Sequence, residues 1–445
     1  MKRPPRARPC CAGRHQGRHA LPNKDRSNGG TEEGGTMRFG AKQIVFAGLA
    51  LAITGIVIFG AANWRDINRA RLVATMFSGK EQVERFHRMD NYFPVRVFHR
   101  AGDVSPLPAG APLKLPAAYR YGGETRDTEK FLTDTDTTGL IVIRNGRVLH
   151  EEYRRGNDAD TRWISWSVGK SFISALVGIA LDEGKIESIT DPLVKYAPEL
   201  KGTSYDGVSV KDALEMSSGV AWNEDYSDPA SDITRFGSVL AYGDSMVGFA
   251  KTLGRAHEPG TVNHYNSMDA QMLGLVLEHA TGMSPSEYLE KKIWSKIGAE
   301  HDGYWVLDDT GTELAAGGVN VTLRDYARFG LLYLNDGKWN GAQIVPADWV
   351  RASHTPDAER LMPGKRANSD SEWGYGYLWW LPRAPDGPYS AVGIYNQFIY
   401  IDPSQNLVIA KTSANSGYGQ TNDETSWRED ETIALFEAIA ADTAP

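Results

Sequence analysis

Residues 163–181 read Trp163-Ile-Ser-Trp-Ser-Val-Gly-Lys-Ser-Phe-Ile-Ser-Ala-Leu-Val-Gly-Ile-Ala-Leu181. Apolar residues recur at positions 168, 172, 173, 176, 177 and 180, which is the spacing of a helix that buries one face. Gly184 follows at a position suited to the end of that helix. This stretch therefore predicts a core helix that begins beside Ser167.

Ser167 and Lys170 lie three residues apart at the predicted start of this helix. Side chains at positions i and i+3 share one helix face, so the hydroxyl and the amine can touch. The free N–H groups and positive dipole end of a helix N-terminus can stabilise an oxyanion. The dipole and burial both favour a neutral lysine, which can act as a base. The spacing also fits an N-cap serine followed by a solvated lysine.

Two more segments carry candidate site residues. Tyr265 precedes a predicted helix, and its phenol could shuttle protons, although a half-buried core tyrosine fits the same pattern. Gly393, in Ala391-Val-Gly393, precedes a predicted strand. A missing side chain there allows a ligand to approach the backbone closely, although an ordinary strand-entry glycine would look the same.

The remaining pattern predicts an α+β protein. Leu140–Ile143 and Val148–Tyr153 flank Asn145-Gly146, a pair that favours a tight hairpin turn. Further strands are predicted at 375–380, 398–401 and 407–412, and helices at 209–217, 267–281, 285–297, 323–335, 346–352 and 428–441. Strands near both ends of a helical middle predict an antiparallel sheet flanked by helices, with an inserted all-helical lobe.

The first 118 residues differ in composition from the rest. Residues 1–36 carry eight basic and three acidic residues without an apolar period, which predicts a basic disordered tail, unless translation begins at Met37. Residues 44–62 are nineteen uncharged positions, which predict one transmembrane anchor, with a cleaved signal segment as the alternative. Residues 66–118 include a proline-rich run and predict a linker to a globular domain at 119–445.

Composition excludes several classes of protein. The 445 residues include 48 Lys and Arg against 56 Asp and Glu, and this acidic balance argues against nucleic acid as a partner. The only cysteines, Cys10 and Cys11, are adjacent, which excludes a disulfide scaffold and a cysteine-based metal site. We expect no metal and no cofactor, because no Gly-rich phosphate loop follows a strand and the histidines are scattered, at His150, His257, His264 and His301 among others.

Together, Ser167-Val-Gly-Lys170, Tyr265-Asn-Ser267 and Ala391-Val-Gly393 resemble the motif set of the serine β-lactamase and penicillin-binding-protein superfamily. The resemblance covers residues 120–440 and implies a β-lactamase-like fold and acyl-enzyme chemistry without a cofactor. The context is similar to the 6-aminohexanoate-dimer hydrolase branch of esterases and amidases, through Ile164–Phe172, Ser217-Ser-Gly219, Gly317-Gly318, Arg324–Gly330 and Gln397.

The resemblance implies a role for each matched residue. Ser167 would be the acylated nucleophile and Lys170 the base that activates it. Tyr265 would relay the proton to the leaving group and later activate water. The oxyanion would be held by the backbone N–H groups of Ser167 and Ile394. Substrate would contact Tyr226, Ser267, Trp380 and Gly393.

Two departures from the superfamily pattern bear on the substrate. Ser267 replaces the amide that helps to hold a β-lactam side chain, and Ala391 replaces the lysine that would meet a carboxylate. Lys411-Thr412-Ser413 is a poor substitute for the Lys-Thr-Gly triplet, since it ends a later strand and lacks the glycine. Both losses favour neutral esters or linear amides. The alternatives are a D,D-peptidase or β-lactamase, and a catalytically silent ligand-binding protein.

The expected partners are a small-molecule ester or amide and a lipid bilayer, the latter through residues 44–62. Basic residues flank this segment on both sides, so the positive-inside count leaves its orientation open. We expect a single-pass protein of the inner (cytoplasmic) membrane with the catalytic domain on the periplasmic side.

Overall fold

The computed structural model of the chain describes residues 40–64, 67–68, 71, 75–76 and 81–443. They fall into two units, divided between Ala62 and Asn63. The first contains one helix, Ala41–Ala62, which is long and apolar enough to cross a membrane. The predicted tail at 1–36 lies outside the described residues.

The second unit is built on two antiparallel sheets. Seven strands form the main sheet in the order β11-β12-β13-β14-β15-β4-β5, and four form a second sheet in the order β1-β7-β8-β6. In chain order, β1 to β15 are Val95–Phe98, Ala118–Tyr121, Glu124–Asp127, Thr137–Arg144, Arg147–Tyr153, Arg162–Ile164, Gly303–Val306, Val319–Thr322, Lys338–Trp339, Ala342–Gln343, Gly374–Tyr375, Trp380–Leu381, Tyr389–Gly393, Gln397–Asp402 and Leu407–Ser413.

Helices cover the main sheet and fill the middle of the chain. Between Asp182 and Gly303, a stretch that is described throughout, the chain forms helices, turns and isolated bridges. This helical stretch matches the predicted insertion. The α-helices of the second unit are Gln82–His87, Thr128–Asp134, Val168–Asp182, Val210–Leu214, Asp232–Tyr242, Met246–Ala250, Ser267–Thr281, Pro285–Leu289, Leu323–Leu334, Ala347–Ser353, Glu424–Trp427 and Glu429–Asp442.

The main sheet is buried on both faces. Strand β4 reads Leu140-Ile-Val-Ile143, and alternate residues enter two different cores. Ile141 and Ile143 join the core that contains helices Val168–Asp182 and Leu323–Leu334, whereas Leu140 and Val142 face the C-terminal helix. A strand buried on both faces lacks apolar–polar alternation, which explains its continuous apolar run.

The helix Val168–Asp182 is enclosed rather than half-buried. All its residues up to Ala180 are buried, and it packs against helix Ser267–Thr281 and strand β13. Gly178 allows the helix to pack against a third neighbour, helix Ala347–Ser353, because a Cβ there would lie 2.3 Å from Cγ of Trp349. Gly184 adopts φ +66°, the left-handed conformation expected just beyond the end of the helix.

Two local predictions need correction or addition, and one is confirmed. The strand predicted at 375–380 is two short strands, β11 and β12, because Leu378 adopts φ +61° and breaks the extended run. Gly393 precedes the predicted strand, which is β14, but it also ends strand β13, which was not predicted. The predicted hairpin at Asn145-Gly146 is confirmed, with φ of +50° and +70° at the two turn residues.

The linker predicted at 66–118 is wrong in part, since strand β1 lies within it. Strand β1 pairs with β7 along its whole length, with Phe98 opposite Gly303. Phe98 is fully buried, and its ring meets that of Trp294 edge-on at 5.1 Å. The prolines that follow indicated an extended spacer, and a four-residue strand is too short for a clear period-2 signal.

We predict that Phe98→Ala destabilises the chain by about 3–5 kcal/mol, the cost typical of truncating a buried phenylalanine. Val97→Ala is the matched control, since Val97 is its strand neighbour but is 46% exposed. Its effect should stay within about 0.5 kcal/mol. Urea unfolding measures both. Equal, small effects would show that residues 95–98 do not belong to the folded core.

Candidate active site

Ser167 lies at a sharp turn between strand β6 and helix Val168–Asp182. Trp166, just before it, adopts φ +43°, a conformation that bulky residues rarely take. Ser167 itself has φ −64° and ψ −10°, and its hydroxyl does not cap the helix. The N-cap alternative is therefore wrong, and the hydroxyl points to a different partner.

That partner is the amine of Lys170. Its Nζ lies 2.7 Å from Oγ of Ser167 and donates a hydrogen bond of 2.7 Å to the backbone carbonyl of Ala316. The side chain is buried, which contradicts the alternative of a solvated lysine. Burial lowers the pKa of Lys170 to about 8, while the carboxylate of Glu224 acts in the opposite direction. A neutral amine here can bond to Ala316 and still accept the proton of Ser167.

Tyr265 completes the group beside Ser167. Its ring centroid lies 5.2 Å from Nζ of Lys170, and Trp380 stacks on its ring at 5.2 Å. Asn266 caps the next helix by accepting from the N–H of Met268, which fixes where Tyr265 emerges. Burial raises the pKa of Tyr265 well above its usual value, although a hydrogen bond with the Ser167 hydroxyl opposes that rise.

The end of strand β13 lies against the segment that carries Ser167. A Cβ on Gly393 would lie 2.7 Å from the carbonyl oxygen of Ser165 and 3.1 Å from the backbone N of Ser167, so only glycine fits. The next residue, Ile394, lines the same cavity as Ser167. Within residues 81–443, neither the Ser167 nor the Ile394 N–H donates a hydrogen bond. Two unused donors beside one hydroxyl form a suitable oxyanion hole.

A cavity of about 550 Å³ opens over Ser167. Three of the predicted substrate contacts, Tyr226, Trp380 and Gly393, line it. The other cavity walls combine aromatic rings with carboxylates, including Trp222, Trp373, Tyr418, Trp427, Glu224, Asp225, Asp370, Glu372, Glu424, Glu429 and Asp430. No metal-binding group of three or more His, Cys, Asp or Glu side chains occurs in the described part of the chain.

Ser267 is not among the residues that line the cavity, so its predicted substrate contact needs correction. It is buried, and its hydroxyl donates to Oε1 of Glu224 at 2.7 Å. The Tyr226 hydroxyl donates to the same oxygen at 2.7 Å, and the indole of Trp222 also donates to Glu224. Sequence reasoning missed Glu224, whose carboxylate accepts these three hydrogen bonds at the cavity wall. Its partner Ser267 is distant in sequence, so no local pattern marks the bond.

His264 is a second residue that the sequence did not reveal. Its Nε2 lies 2.7 Å from the carbonyl oxygen of Trp222, and its Nδ1 lies 2.7 Å from Oδ2 of Asp370. Both neighbours accept hydrogen bonds, so both ring nitrogens carry protons. The bond to Asp370 raises the pKa of His264 to about 9. The imidazolium joins two walls of the cavity, and its charge is balanced by Asp370.

We predict that Ser167 reacts with a fluorophosphonate at a rate that rises with pH through about 8. The ammonium of Lys170 must lose its proton to act as a base, and its pKa is about 8. Glu224→Gln removes a charge that raises this pKa, so the rise should move to lower pH. The pH profile of the labelling rate measures both.

Glu372→Gln is the matched control for this shift. Its carboxylate lines the cavity, but it is not among the groups that shift the pKa of Lys170. A profile unchanged by Glu224→Gln, or shifted equally by the control, would contradict the electrostatic account.

Comparisons with known proteins agree with this geometry. The β-lactamase family model matches residues 126–433. The 6-aminohexanoate-dimer hydrolase of Paenarthrobacter ureafaciens is 33% identical over 336 residues, covering 74% of this chain and 84% of the relative. A β-lactamase of Pseudomonas fluorescens is 26% identical over 183 residues, covering 39% of this chain and 48% of that protein.

A solved structure shows the same fold. A protein from Bacillus anthracis, assigned to the 6-aminohexanoate-dimer hydrolases, superimposes with a TM-score of 0.72 at 24% identity. The match covers 83% of this chain and 95% of that protein. The fold is the β-lactamase-like α+β fold of serine hydrolases, and the chain belongs to the β-lactamase family.

Proposed function

We propose that this chain is a membrane-anchored serine hydrolase that cleaves esters or linear amides through an acyl-enzyme on Ser167. One observation carries the proposal, namely the buried Lys170 amine 2.7 Å from the Ser167 oxygen. A serine hydroxyl is a weak nucleophile unless a neighbouring base removes its proton. A lysine whose pKa is lowered to about 8 is such a base near neutral pH.

Acylation uses the Lys170 amine, the Ser167 hydroxyl, the two backbone N–H groups and the Tyr265 phenol in turn. Lys170 takes the hydroxyl proton as Oγ of Ser167 forms a bond to the substrate carbonyl carbon. The carbonyl oxygen gains negative charge, which the N–H groups of Ser167 and Ile394 stabilise. The bond to the leaving group then breaks, and the leaving oxygen or nitrogen receives the Lys170 proton through the phenol of Tyr265. The product is an ester between the acyl group and Ser167.

Deacylation repeats these steps with water as the nucleophile. The pKa of Tyr265 is raised by burial, so the free phenolate is disfavoured. Tyr265 therefore acts as a relay that gives one proton as it receives another, and Lys170 holds the proton between steps. Water adds to the ester carbonyl, the bond to Oγ breaks, and Ser167 regains its hydrogen.

The charges of the cavity wall favour neutral substrates over penicillins, which carry a carboxylate. The ring of His264 is the one basic side chain that lines the cavity in the described residues, and Asp370 already pairs with it. A β-lactam or peptide carboxylate would meet seven acidic side chains and no unpaired cation. The relative that is 33% identical is a 6-aminohexanoate-dimer hydrolase, which also favours linear amides.

Two other functions make different predictions. A D,D-peptidase or β-lactamase would share the Ser167 chemistry, and the partial likeness to a Pseudomonas fluorescens β-lactamase keeps it as the second candidate. A silent binding protein would bind ligand without turnover. The spacing of Ser167, Lys170 and Tyr265 argues against the silent protein, because binding alone requires no buried base beside a hydroxyl.

The same proposal places the domain on a membrane. Helix Ala41–Ala62 is long and apolar enough to span a bilayer. We propose a single-pass anchor in the inner membrane with the catalytic domain on the periplasmic side.

We predict that the full-length protein hydrolyses p-nitrophenyl butyrate and that Ser167→Ala lowers kcat at least about 1,000-fold, as loss of a nucleophile does. Ser174→Ala is the control, since Ser174 lies two turns along the same helix, is fully buried and is not among the residues that line the cavity. Release of p-nitrophenol measures both.

Labelled penicillin separates the enzymatic alternatives. We expect no labelling of Ser167 at concentrations that saturate ester hydrolysis. Labelling that Ser167→Ala abolishes would favour a peptidase or β-lactamase. Equal ester turnover by wild type and Ser167→Ala would contradict the serine-hydrolase proposal itself.

We predict that the protein sediments with membranes and resists salt washing, and that deletion of residues 44–62 releases it to the soluble fraction. Added protease should digest the domain in spheroplasts, where only the periplasmic face is accessible. If the full-length chain is instead cleaved near Ala62 and yields a soluble product, residues 44–62 are a signal segment. Protection from protease would contradict the orientation.

A further inference from the structure

The turn between strands β13 and β14 carries the N–H proposed for the oxyanion hole. It consists of Ile394, Tyr395 and Asn396, and the last two adopt φ of +63° and +65°. Consecutive left-handed residues other than glycine cost energy and persist only where their surroundings fix them. One side-chain contact fixes the Ile394 end of this turn.

The side-chain amide of Gln397 makes that contact. The side chain is buried, and its Nε2 lies 3.1 Å from the carbonyl oxygen of Ile394, 3.0 Å from that of Tyr395 and 2.6 Å from that of Ser413. Its two hydrogens are thus shared among three carbonyls, two of which belong to the turn. Gln397 therefore ties the turn to the end of strand β15.

The other end of the amide reaches the nucleophile segment. Oε1 of Gln397 accepts from the indole N–H of Trp163 at 2.9 Å and from the N–H of Ser413 at 3.0 Å. Trp163 lies in strand β6, four residues before Ser167. One buried amide thus joins the strand that leads to the first oxyanion donor and the turn that carries the second.

Other contacts hold the far side of the turn. The side chain of Asn396 donates to the carbonyl of Trp427 and accepts from Asn415, and Nζ of Lys411 lies 3.4 Å from the Asn396 carbonyl. These contacts fix Asn396, but the Ile394 carbonyl is held by Gln397. Since an oxyanion donor must be placed within a fraction of an ångström, this single contact has kinetic consequences.

We propose that Gln397 is a positioning residue for acyl transfer, which fixes the Ile394 N–H relative to the Ser167 N–H. The inference rests on the proposed function. Gln397 is buried beneath the turn and is not among the residues that line the cavity, so it acts on the substrate only through the backbone segments that it holds. Substrate binding should depend on it little, and transition-state stabilisation should depend on it strongly.

The test is Gln397→Met in the full-length protein, which keeps the side-chain length and removes every amide hydrogen bond. Loss of one oxyanion donor costs about 100- to 1,000-fold in kcat, so a displaced donor should cost about 10- to 100-fold. KM for p-nitrophenyl butyrate should change little. The inhibition constant of a boronic acid, which binds serine as a tetrahedral adduct, should rise in parallel with the loss of kcat.

Gln343→Met is the control for loss of a glutamine amide at an exposed position. The amide of Gln343 also donates to two backbone carbonyls, those of Asp336 and Val345, but it lies outside the cavity wall. Its kcat and boronate affinity should equal those of the wild type. If Gln397→Met does not fold, Trp163→Phe removes one donor to the same amide and should give a smaller loss with the same parallel change.

The outcomes separate this inference from the proposed function. The positioning role is overturned if Gln397→Met leaves kcat unchanged, or if it lowers kcat without changing boronate affinity. In both cases Ser167→Ala is still expected to be inactive. If Ser167→Ala retains full activity, the proposed function fails first. A parallel loss of kcat and boronate affinity, absent from Gln343→Met, supports the role of Gln397.

Discussion

Burial of the Lys170 amine is the constraint on which the rest of the structure depends. An ammonium in water holds its proton to high pH, and only desolvation makes this amine a base near neutrality. That requires the first turns of helix Val168–Asp182 to be enclosed by helix Ser267–Thr281, strand β13 and the segment that carries Ala316. The helical insertion and the main sheet therefore both contribute to the burial of this amine.

The second constraint is close approach of two backbones. Strand β13 reaches the segment that carries Ser167 only because Gly393 has no side chain. On either side of that contact the chain adopts costly conformations, at Trp166 before the nucleophile and at Tyr395 and Asn396 after the glycine. Residues with left-handed φ thus flank the two unused N–H groups of Ser167 and Ile394, and such conformations are common at functional sites.

The sequence predicted what is encoded locally. Helix Ser267–Thr281 has the predicted bounds, and the hairpin at Asn145 forms as expected, because caps, turn residues and apolar spacing are short-range signals. The motifs also predicted that Ser167, Lys170 and Tyr265 lie close together, and they do so in the structure. Strand β1 and helix Asp232–Tyr242 were not predicted.

The parts that failed depend on long-range contacts. Ser267 was expected to meet substrate, but its hydroxyl is bonded to Glu224, whose position comes from a different part of the insertion. His264 seemed an isolated histidine until the fold brought Asp370 beside it. Strand β1 forms by pairing with β7, which is distant in sequence. Pairings of this kind are set by tertiary structure, so one sequence does not specify them.

The most direct measurement is mass spectrometry of the protein quenched with acid during turnover of p-nitrophenyl butyrate. The account predicts a butyryl group on the peptide that contains Ser167, present at steady state and absent from Ser167→Ala. Turnover without any acylated peptide, or acylation of another residue that survives Ser167→Ala, would contradict covalent catalysis by the Lys170–Ser167 pair.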